Sequence, residues 1–350
     1  MANVYDYVAK YGKYTFEQKA FNEVDNLVFS LLAYLDFTDT RINENNRTLE
    51  EVGREYLGKH GYKEIARLGI AMGTAHEMLQ KVVDQDRYRR LIVSDYIYDT
   101  ARDKQFSVMT FHLTKNLDYI AFEGTDQLIS GWREDFELAC SFPVPSHIEA
   151  VKYLNEHVSL FGPNVIIGGH SKGGNLALVG AMMMKRHKFW KVKTVYNNDG
   201  PGLRRKEFES ADYDRVKPKY VHIVPHCSIV GLMMRNDIYK VVKSDREDIV
   251  GHSIVTWEVT DDHLRHAARS EMSKEIEKRL WQWLDDHDDS ERKKVLEAVF
   301  GTIEGCDILD TMSLFKFRNI VKIFRQSKEL DKESKDLVVG LFKMVAVGKK

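Results

Sequence analysis

Val165-Ile166-Ile167-Gly168-Gly169-His170-Ser171-Lys172-Gly173-Gly174-Asn175-Leu176-Ala177 passes from a β-branched run, through paired glycines, into helix-forming residues. A short buried strand followed at once by an apolar helix accounts for that change of texture. At the junction stands Gly-x-Ser-x-Gly, at Gly169, Ser171 and Gly173. A serine on a sharp strand-to-helix turn is lifted above the sheet edge, and flanking glycines remove side chains that would collide with strand and helix. The helix N-terminus then offers N–H groups and a positive dipole end to an oxyanion forming beside the serine. The plainer alternative is a glycine-rich turn serving packing alone. No Gly-Lys-Ser/Thr follows, so the glycines do not read as a phosphate loop. A Ser–Lys dyad through Lys172 is disfavoured, because the side chain next to the nucleophile in such a turn points away. His170 is expected to pack under the turn, not to act.

On both sides of this run, short strands alternate with helices. Leu91 to Tyr98 and Phe106 to Leu113 alternate like hairpin strands around a polar turn at Ala101 to Lys104, and Leu117 to Phe122 is a short apolar strand. A helix is predicted over Ser146 to Leu160 and another over Asn175 to Met184. Further strands are predicted at Val192 to Tyr196, Tyr220 to Val224, Tyr239 to Val242 and Ser253 to Val259. This alternation predicts a mostly parallel sheet covered on both faces. Residues 1–90 read as helical, with Val24, Leu27, Val28, Leu31, Leu32 and Leu35 at helical spacing and a second, polar helix near Leu49 to Leu57. The chain turns helical again from Asp262 to its end.

Composition narrows the classes. The 350 residues are 43% hydrophobic and 30% charged, with a net charge of −1. No global field nominates nucleic acid or an anionic membrane as partner. Cys140, Cys227 and Cys306 are scattered and odd in number, offering neither a disulfide framework nor metal spacing, which suits a reducing compartment. Met1 to Tyr7 has no basic n-region or apolar h-region, and eighteen apolar residues never run together. A cytoplasmic protein without metal or organic cofactor is expected.

The run Gly-His-Ser-x-Gly-Gly resembles the elbow of the class 3 (fungal-type) triacylglycerol lipases. It is also similar to that of a bacterial lipase-like family in the α/β-hydrolase superfamily. Ile120-Ala121-Phe122-Glu123-Gly124-Thr125-Asp126, then Trp132 and Asp135, resembles the lipases' Phe-Arg-Gly-Ser/Thr segment, with Glu123 where those enzymes usually carry Arg. The bacterial family's pattern is also matched by Tyr196-Asn197-Asn198-Asp199-Gly200-Pro201-Gly202, by Ile223-Val224-Pro225 with Ser228-Ile229-Val230-Gly231, and by His252 ahead of Trp257-Glu258-Val259. The resemblance covers Leu27 to Val259 and implies an α/β-hydrolase core over 91–260, between an N-terminal helical segment (1–90) and a C-terminal helical extension (261–350). It also implies that Thr125 and the Lys172 backbone N–H form the oxyanion hole.

A nucleophilic serine needs a base, and the base an orienting carboxylate; in α/β-hydrolases the chain order is Ser, Asp or Glu, then His. His187 lies at the end of the elbow helix and points away. His222 is inside a strand and reads as packed. His226 follows a strand end and could face the site; His263 and His266 begin the C-terminal helices and read as solvated. His252, in a loop ahead of a late strand, fits best as base. For the acid, Asp199 ends the strand after the elbow helix, where open α/β sheets present site residues. The plain alternative is an Asx turn, since Asn-Asp-Gly-Pro is good turn chemistry. Class 3 lipases carry the acid one strand later, where this chain has only Pro225-His226-Cys227; pancreatic-type lipases carry it where Asp199 stands. Asp245 and Asp248 are the fallback acids.

The expected activity is therefore hydrolysis of a carboxylic ester, lipid-like or otherwise, through an acyl-enzyme on Ser171. The rivals are a non-catalytic scaffold binding an acyl ligand or a protein, and an acyltransferase or thioesterase. Leu314, Phe317, Val321 and Phe324 form a helical apolar stripe. From Thr311 to Lys350 there are ten Lys or Arg against four Asp or Glu. That predicts either an amphipathic helix packed on the core, or a basic element that touches anionic lipid or a partner or caps the site mouth.

Overall fold

The computed structural model describes residues 1–101, 104–125, 137–237 and 240–304. The basic stripe at Leu314 to Phe324, Cys306, Asp126, Trp132 and Asp135 lie outside the described residues.

Seven strands form one sheet in sequential order: β1 (Ile92–Ala101), β2 (Lys104–Thr114), β3 (Leu117–Phe122), β4 (Asn164–His170), β5 (Val192–Asn198), β6 (Tyr220–Pro225) and β7 (Lys240–Val242). The pairs β1/β2 and β2/β3 are antiparallel, and every pair from β3/β4 to β6/β7 is parallel. This is the mostly parallel sheet that the alternation of strands and helices predicts. Both faces are apolar, so the strands read as continuous hydrophobic runs. On one face Tyr119, Ala121 and Ile166 join a cluster with the N-terminal helices α1 (Val4–Tyr11), α2 (Glu23–Leu32), α3 (Leu49–Lys59), the one-turn α4 (Tyr62–Ile65) and α5 (Ile70–Val82). On the other, Ile120, Phe122, Val165 and Ile167 pack against α6 (Pro145–His157) and α7 (Lys172–Met183).

The helix α2 is buried on every side: all its residues but Glu23 are shielded from solvent. It is capped by Asn22, whose side chain accepts from Val24 and Asp25 while Asp25 answers on the Asn22 backbone. Asp25 also takes a salt bridge from Arg87 at 2.5 Å, with both side chains fully buried. Tyr88 donates a hydroxyl to the same carboxylate at 2.8 Å. Arg87 spends its remaining donors on the carbonyls of Tyr14, Lys19 and Ala20.

The short helix α8 (Arg186–Phe189) precedes β5, α9 (Arg205–Phe208) and α10 (Ala211–Val216) follow it, and after β7 the chain departs from expectation. The predicted strand Ser253–Val259 does not form. Two 3₁₀ turns, Ile249–His252 and Ile254–Thr256, precede a two-residue strand β8 (Val259–Thr260) paired with β9 (His263–Leu264). The reason is local. Ile254 and Trp257 are buried three residues apart, a 3₁₀ spacing, and Thr256 Oγ1 donates to the Ser253 carbonyl at 2.8 Å. His263 and His266 are exposed, as expected, but on extended chain. The helices α11 (Glu271–Asp286) and α12 (Asp289–Glu304) begin later.

Candidate active site

The predicted elbow forms: β4 ends at His170, Ser171 adopts φ 55° and ψ −132°, and α7 begins at Lys172. For a residue with a Cβ this backbone region costs on the order of 1–3 kcal/mol, so the surroundings must hold it. Ser171 N–H donates to the Asn198 carbonyl at 2.9 Å, and the Ser171 carbonyl accepts from Gly174 N–H at 2.9 Å. A methyl on Gly173 would overlap the Phe122 carbonyl, and one on Gly169 would lie 2.6 Å from it. The two motif glycines thus exist because β3 and the first turn of α7 press against the elbow.

The pair Asn197-Asn198 brings Asp199 to the same strand end. Asn197 Oδ1 accepts from Gly200 N–H at 2.8 Å, three residues on, and closes a chain reversal where the sequence offers a turn as the plain alternative. The turn and the buried acid coexist, because Asn197, not Asp199, makes the turn. Asn198 Nδ2 donates to the Gly169 carbonyl at 2.9 Å and to Ser30 Oγ at 3.0 Å, and its Oδ1 accepts from Asn26 Nδ2 at 2.8 Å. One buried side chain thereby joins β5, the elbow strand and α2.

Asp199 is fully buried with φ 51°. Its Oδ2 accepts from His252 Nδ1 at 2.7 Å. Its Oδ1 accepts from the Ser228 hydroxyl at 2.5 Å and Gly231 N–H at 3.1 Å. Burial raises the Asp199 pKa above the ordinary carboxylate value, while the His252, Ser228 and Gly231 hydrogen bonds pull it down. Because a carboxylate only accepts, His252 Nδ1 carries the proton and Nε2 is left with its lone pair. The His252 side chain is 20% exposed. Among the described residues, no hydrogen bond joins Ser171 Oγ to His252 Nε2.

His170 does more than pack. Its Nε2 lies 2.8 Å from the His252 carbonyl, its Nδ1 lies 2.8 Å from the Tyr34 hydroxyl, and its ring centroid is 4.3 Å from that of His252. A carbonyl accepts only, so Nε2–H donates and Nδ1 accepts from Tyr34. Burial holds His170 well below the usual histidine pKa, which keeps this tautomer neutral.

Thr125 is buried beyond the end of β3, and the Phe122–Gly169 pairing sets its strand end beside the elbow. Gly124 lies so close to the His170 carbonyl and the Tyr34 hydroxyl that a methyl would strike both. Lys172 turns away from the site: its Nζ donates to the Gln105 carbonyl at 2.8 Å.

The remaining candidates separate from the site. His222 is fully buried, and burial pushes its pKa down to about 3. His226 accepts on Nδ1 from Ser244 N–H at 3.3 Å, away from Asp199. His187 and Asp245 are exposed, and Asp248 caps the 3₁₀ turn at Val250 and pairs with Arg246 at 2.8 Å. The sequence assigns no role to Ser228, Gly231 or Tyr34. Their signal was faint, since Ser228 and Gly231 stand out only through the lipase-like pattern.

A second Ser–His–Asp set lies elsewhere. His112 Nε2 is 2.9 Å from Ser94 Oγ, and its Nδ1 is 2.9 Å from Asp118 Oδ1. Here the serine donates to Asp95 Oδ2 at 2.8 Å, so the histidine must donate to the serine. That proton direction is opposite to what a nucleophile requires, and the set sits on antiparallel strands without a helix N-terminus.

A sequence model of the Mbeg1-like family matches residues 82–301. No curated protein matches the chain. Among solved structures the chain is similar to a fungal lipase–inhibitor complex studied for interfacial activation, at 16% identity over 49% of this chain and 70% of that one, with a TM-score of 0.35. It is also similar to M37 lipase, at 16% identity over 61% of this chain and 70% of that one, with a TM-score of 0.32.

Proposed function

The chain belongs to the Mbeg1-like family, and from that premise and the site geometry we propose that it is a serine hydrolase cleaving carboxylic esters through an acyl-enzyme on Ser171. The observation that carries this reading is the Asp199–His252 hydrogen bond of 2.7 Å, made by a fully buried carboxylate one residue beyond the carbonyl that accepts from Ser171 N–H.

In the proposed mechanism, Ser171 Oγ attacks the ester carbonyl carbon while His252 Nε2 takes its proton. Asp199 keeps the ring in the productive tautomer and stabilises the imidazolium without taking the proton. Backbone N–H groups of Thr125 and Lys172 hold the oxyanion. Collapse breaks the C–O bond, and His252 returns the proton to the leaving alcohol. Water then attacks the acyl-enzyme, giving its proton to His252 and releasing the acid with Ser171 restored. The Ser171–His252 contact closes when substrate excludes water, as catalytic hydrogen bonds commonly do.

The test is fluorophosphonate labelling followed by a panel of p-nitrophenyl esters of increasing chain length. Labelling is expected to vanish in Ser171→Ala, with melting behaviour nearly unchanged, and to persist in Ser94→Ala. Labelling retained by folded Ser171→Ala, or lost only in Ser94→Ala, overturns the assignment. The unmade Ser171–His252 contact favours one second reading, a non-catalytic scaffold. That reading expects no labelling or turnover in the wild type, with binding of a long-chain acyl ligand retained.

A further inference from the structure

The parallel strands have a second end, opposite the elbow. There the segment of residues 185–193, which holds the one-turn helix α8 and the start of β5, carries Lys185, Arg186, Lys188, Lys191 and Lys193 without an Asp or Glu. At its tip Trp190 is 81% exposed, and on the adjacent loop entering β4 Phe161 is 99% exposed. Large apolar side chains held in water beside concentrated positive charge are costly unless something covers them.

We propose that this end of the molecule docks on an anionic phospholipid surface, Trp190 and Phe161 entering the interface while the lysines engage lipid headgroups. The loop is rigidly built for the task. Lys185 N–H donates to Asn155 Oδ1 at 2.9 Å, and the Lys191 carbonyl accepts from Val165 N–H at 2.9 Å. Phe189 is buried beneath the loop, with the Arg215 guanidinium and the Lys219 ammonium each 4.6 Å from its ring centroid.

The charge is largely uncompensated. Asp212 faces Arg186 at 3.5 Å and Arg215 at 3.7 Å, and Asp237 pairs with Lys217. Among the described residues Lys185, Lys188, Lys191, Lys193 and Lys219 meet no carboxylate within 4.0 Å. The Lys219 pKa is lowered, first by burial and then by the positive charges of Lys193 and Arg215. Charge of one sign beside an amphipathic tryptophan is the chemistry of the membrane–water boundary. A nucleic-acid duplex would need the charge but would not reward a bare Phe161, whereas a single strand would stack bases on it. Among the described residues no helix is long and apolar enough to cross a membrane. The contact does not depend on the reaction at Ser171, which lies a strand length away, roughly 20 Å.

The test is co-sedimentation of the full chain with vesicles of phosphatidylcholine alone and of phosphatidylcholine mixed with phosphatidylglycerol, at low and high ionic strength. Binding is expected only with phosphatidylglycerol, and it should weaken with salt. Lys185→Glu/Lys188→Glu/Lys191→Glu should weaken it by roughly tenfold or more. Trp190→Ala should weaken it while leaving the salt dependence. Melting curves confirm that both variants are folded, and esterase rates should match the wild type. Failure to bind the anionic vesicles at low salt overturns the proposal. So does binding unchanged in the lysine variant, which would move the contact elsewhere on the chain. Equal binding of single-stranded RNA, insensitive to Trp190→Ala, would make the patch a nucleic-acid surface and also overturn it.

Discussion

Asp199 is held by three donors at once, and only one of them, His252, belongs to the proposed chemistry. Asp199→Asn keeps the size of the side chain but turns an acceptor into a donor towards His252 Nδ1, which favours the wrong tautomer. Turnover of a p-nitrophenyl ester should fall by roughly three to four orders of magnitude. His252→Ala should do the same, whereas near-normal rates in both, with His226→Ala inactive, would dismiss these roles. His170 tests a subtler link. It holds the His252 carbonyl and packs its ring against the His252 ring, so His170→Ala should lower kcat by up to roughly a hundredfold and leave KM nearly unchanged. Tyr34→Phe should lower it less. Ser171, Asp199 and His252 could be nominated from their order along the chain and the residues around them. The other two donors to Asp199 could not, because Ser228 and Gly231 are 29 and 32 residues away and common in any loop.

Elements impose the next constraint. Asn198 joins β5, β4 and α2 through hydrogen bonds that are all buried. Asn198→Ala strands several polar groups at once and should destabilise the fold by about 2–4 kcal/mol in urea titration. A loss within a few tenths of a kcal/mol would show that the clamp is not needed. The antiparallel hairpins give a pH-dependent case. Asp118, as hydrogen-bond partner, raises the His112 pKa above its ordinary 6.5, against the effect of burial. A raised histidine contributes stability that is fully present below 6.5 and is lost as pH rises through the folded value. The stability difference between wild type and His112→Gln should therefore be larger at acidic than at alkaline pH; a constant difference would show that protonation is not coupled to this contact. Most strands were legible because β-branched runs end at glycine or proline. The stretch Ser253–Val259 was not, since alternation and 3₁₀ spacing coincide over so few residues, and only the Ser and Thr hydroxyls mark the turn.

At the scale of the molecule, the first ninety residues differ in texture from the strands but share one apolar cluster with them. A sheet with two apolar faces announces that both are covered without saying by which helices, so the sequence could not show how α2 packs. Arg87 and Asp25 hold that layer to the rest of the N-terminal region. Arg87→Ala leaves a fully buried carboxylate without its countercharge and should cost about 3–5 kcal/mol, read as a lower denaturant midpoint for the whole chain. A loss below about 1 kcal/mol would mean that the hydroxyls of Tyr88 and of Tyr7, which donates to Asp25 Oδ1 at 3.2 Å, suffice.

A helix buried on every side has a consequence during synthesis. Asn26 meets its partner Asn198 across 172 residues of chain. At about 5–20 residues per second, α2 leaves the ribosome roughly 10–30 s before β5 exists to receive it. For that interval its apolar surface has no native cover, and the nascent chain is a client for whatever shields hydrophobic segments at the exit tunnel.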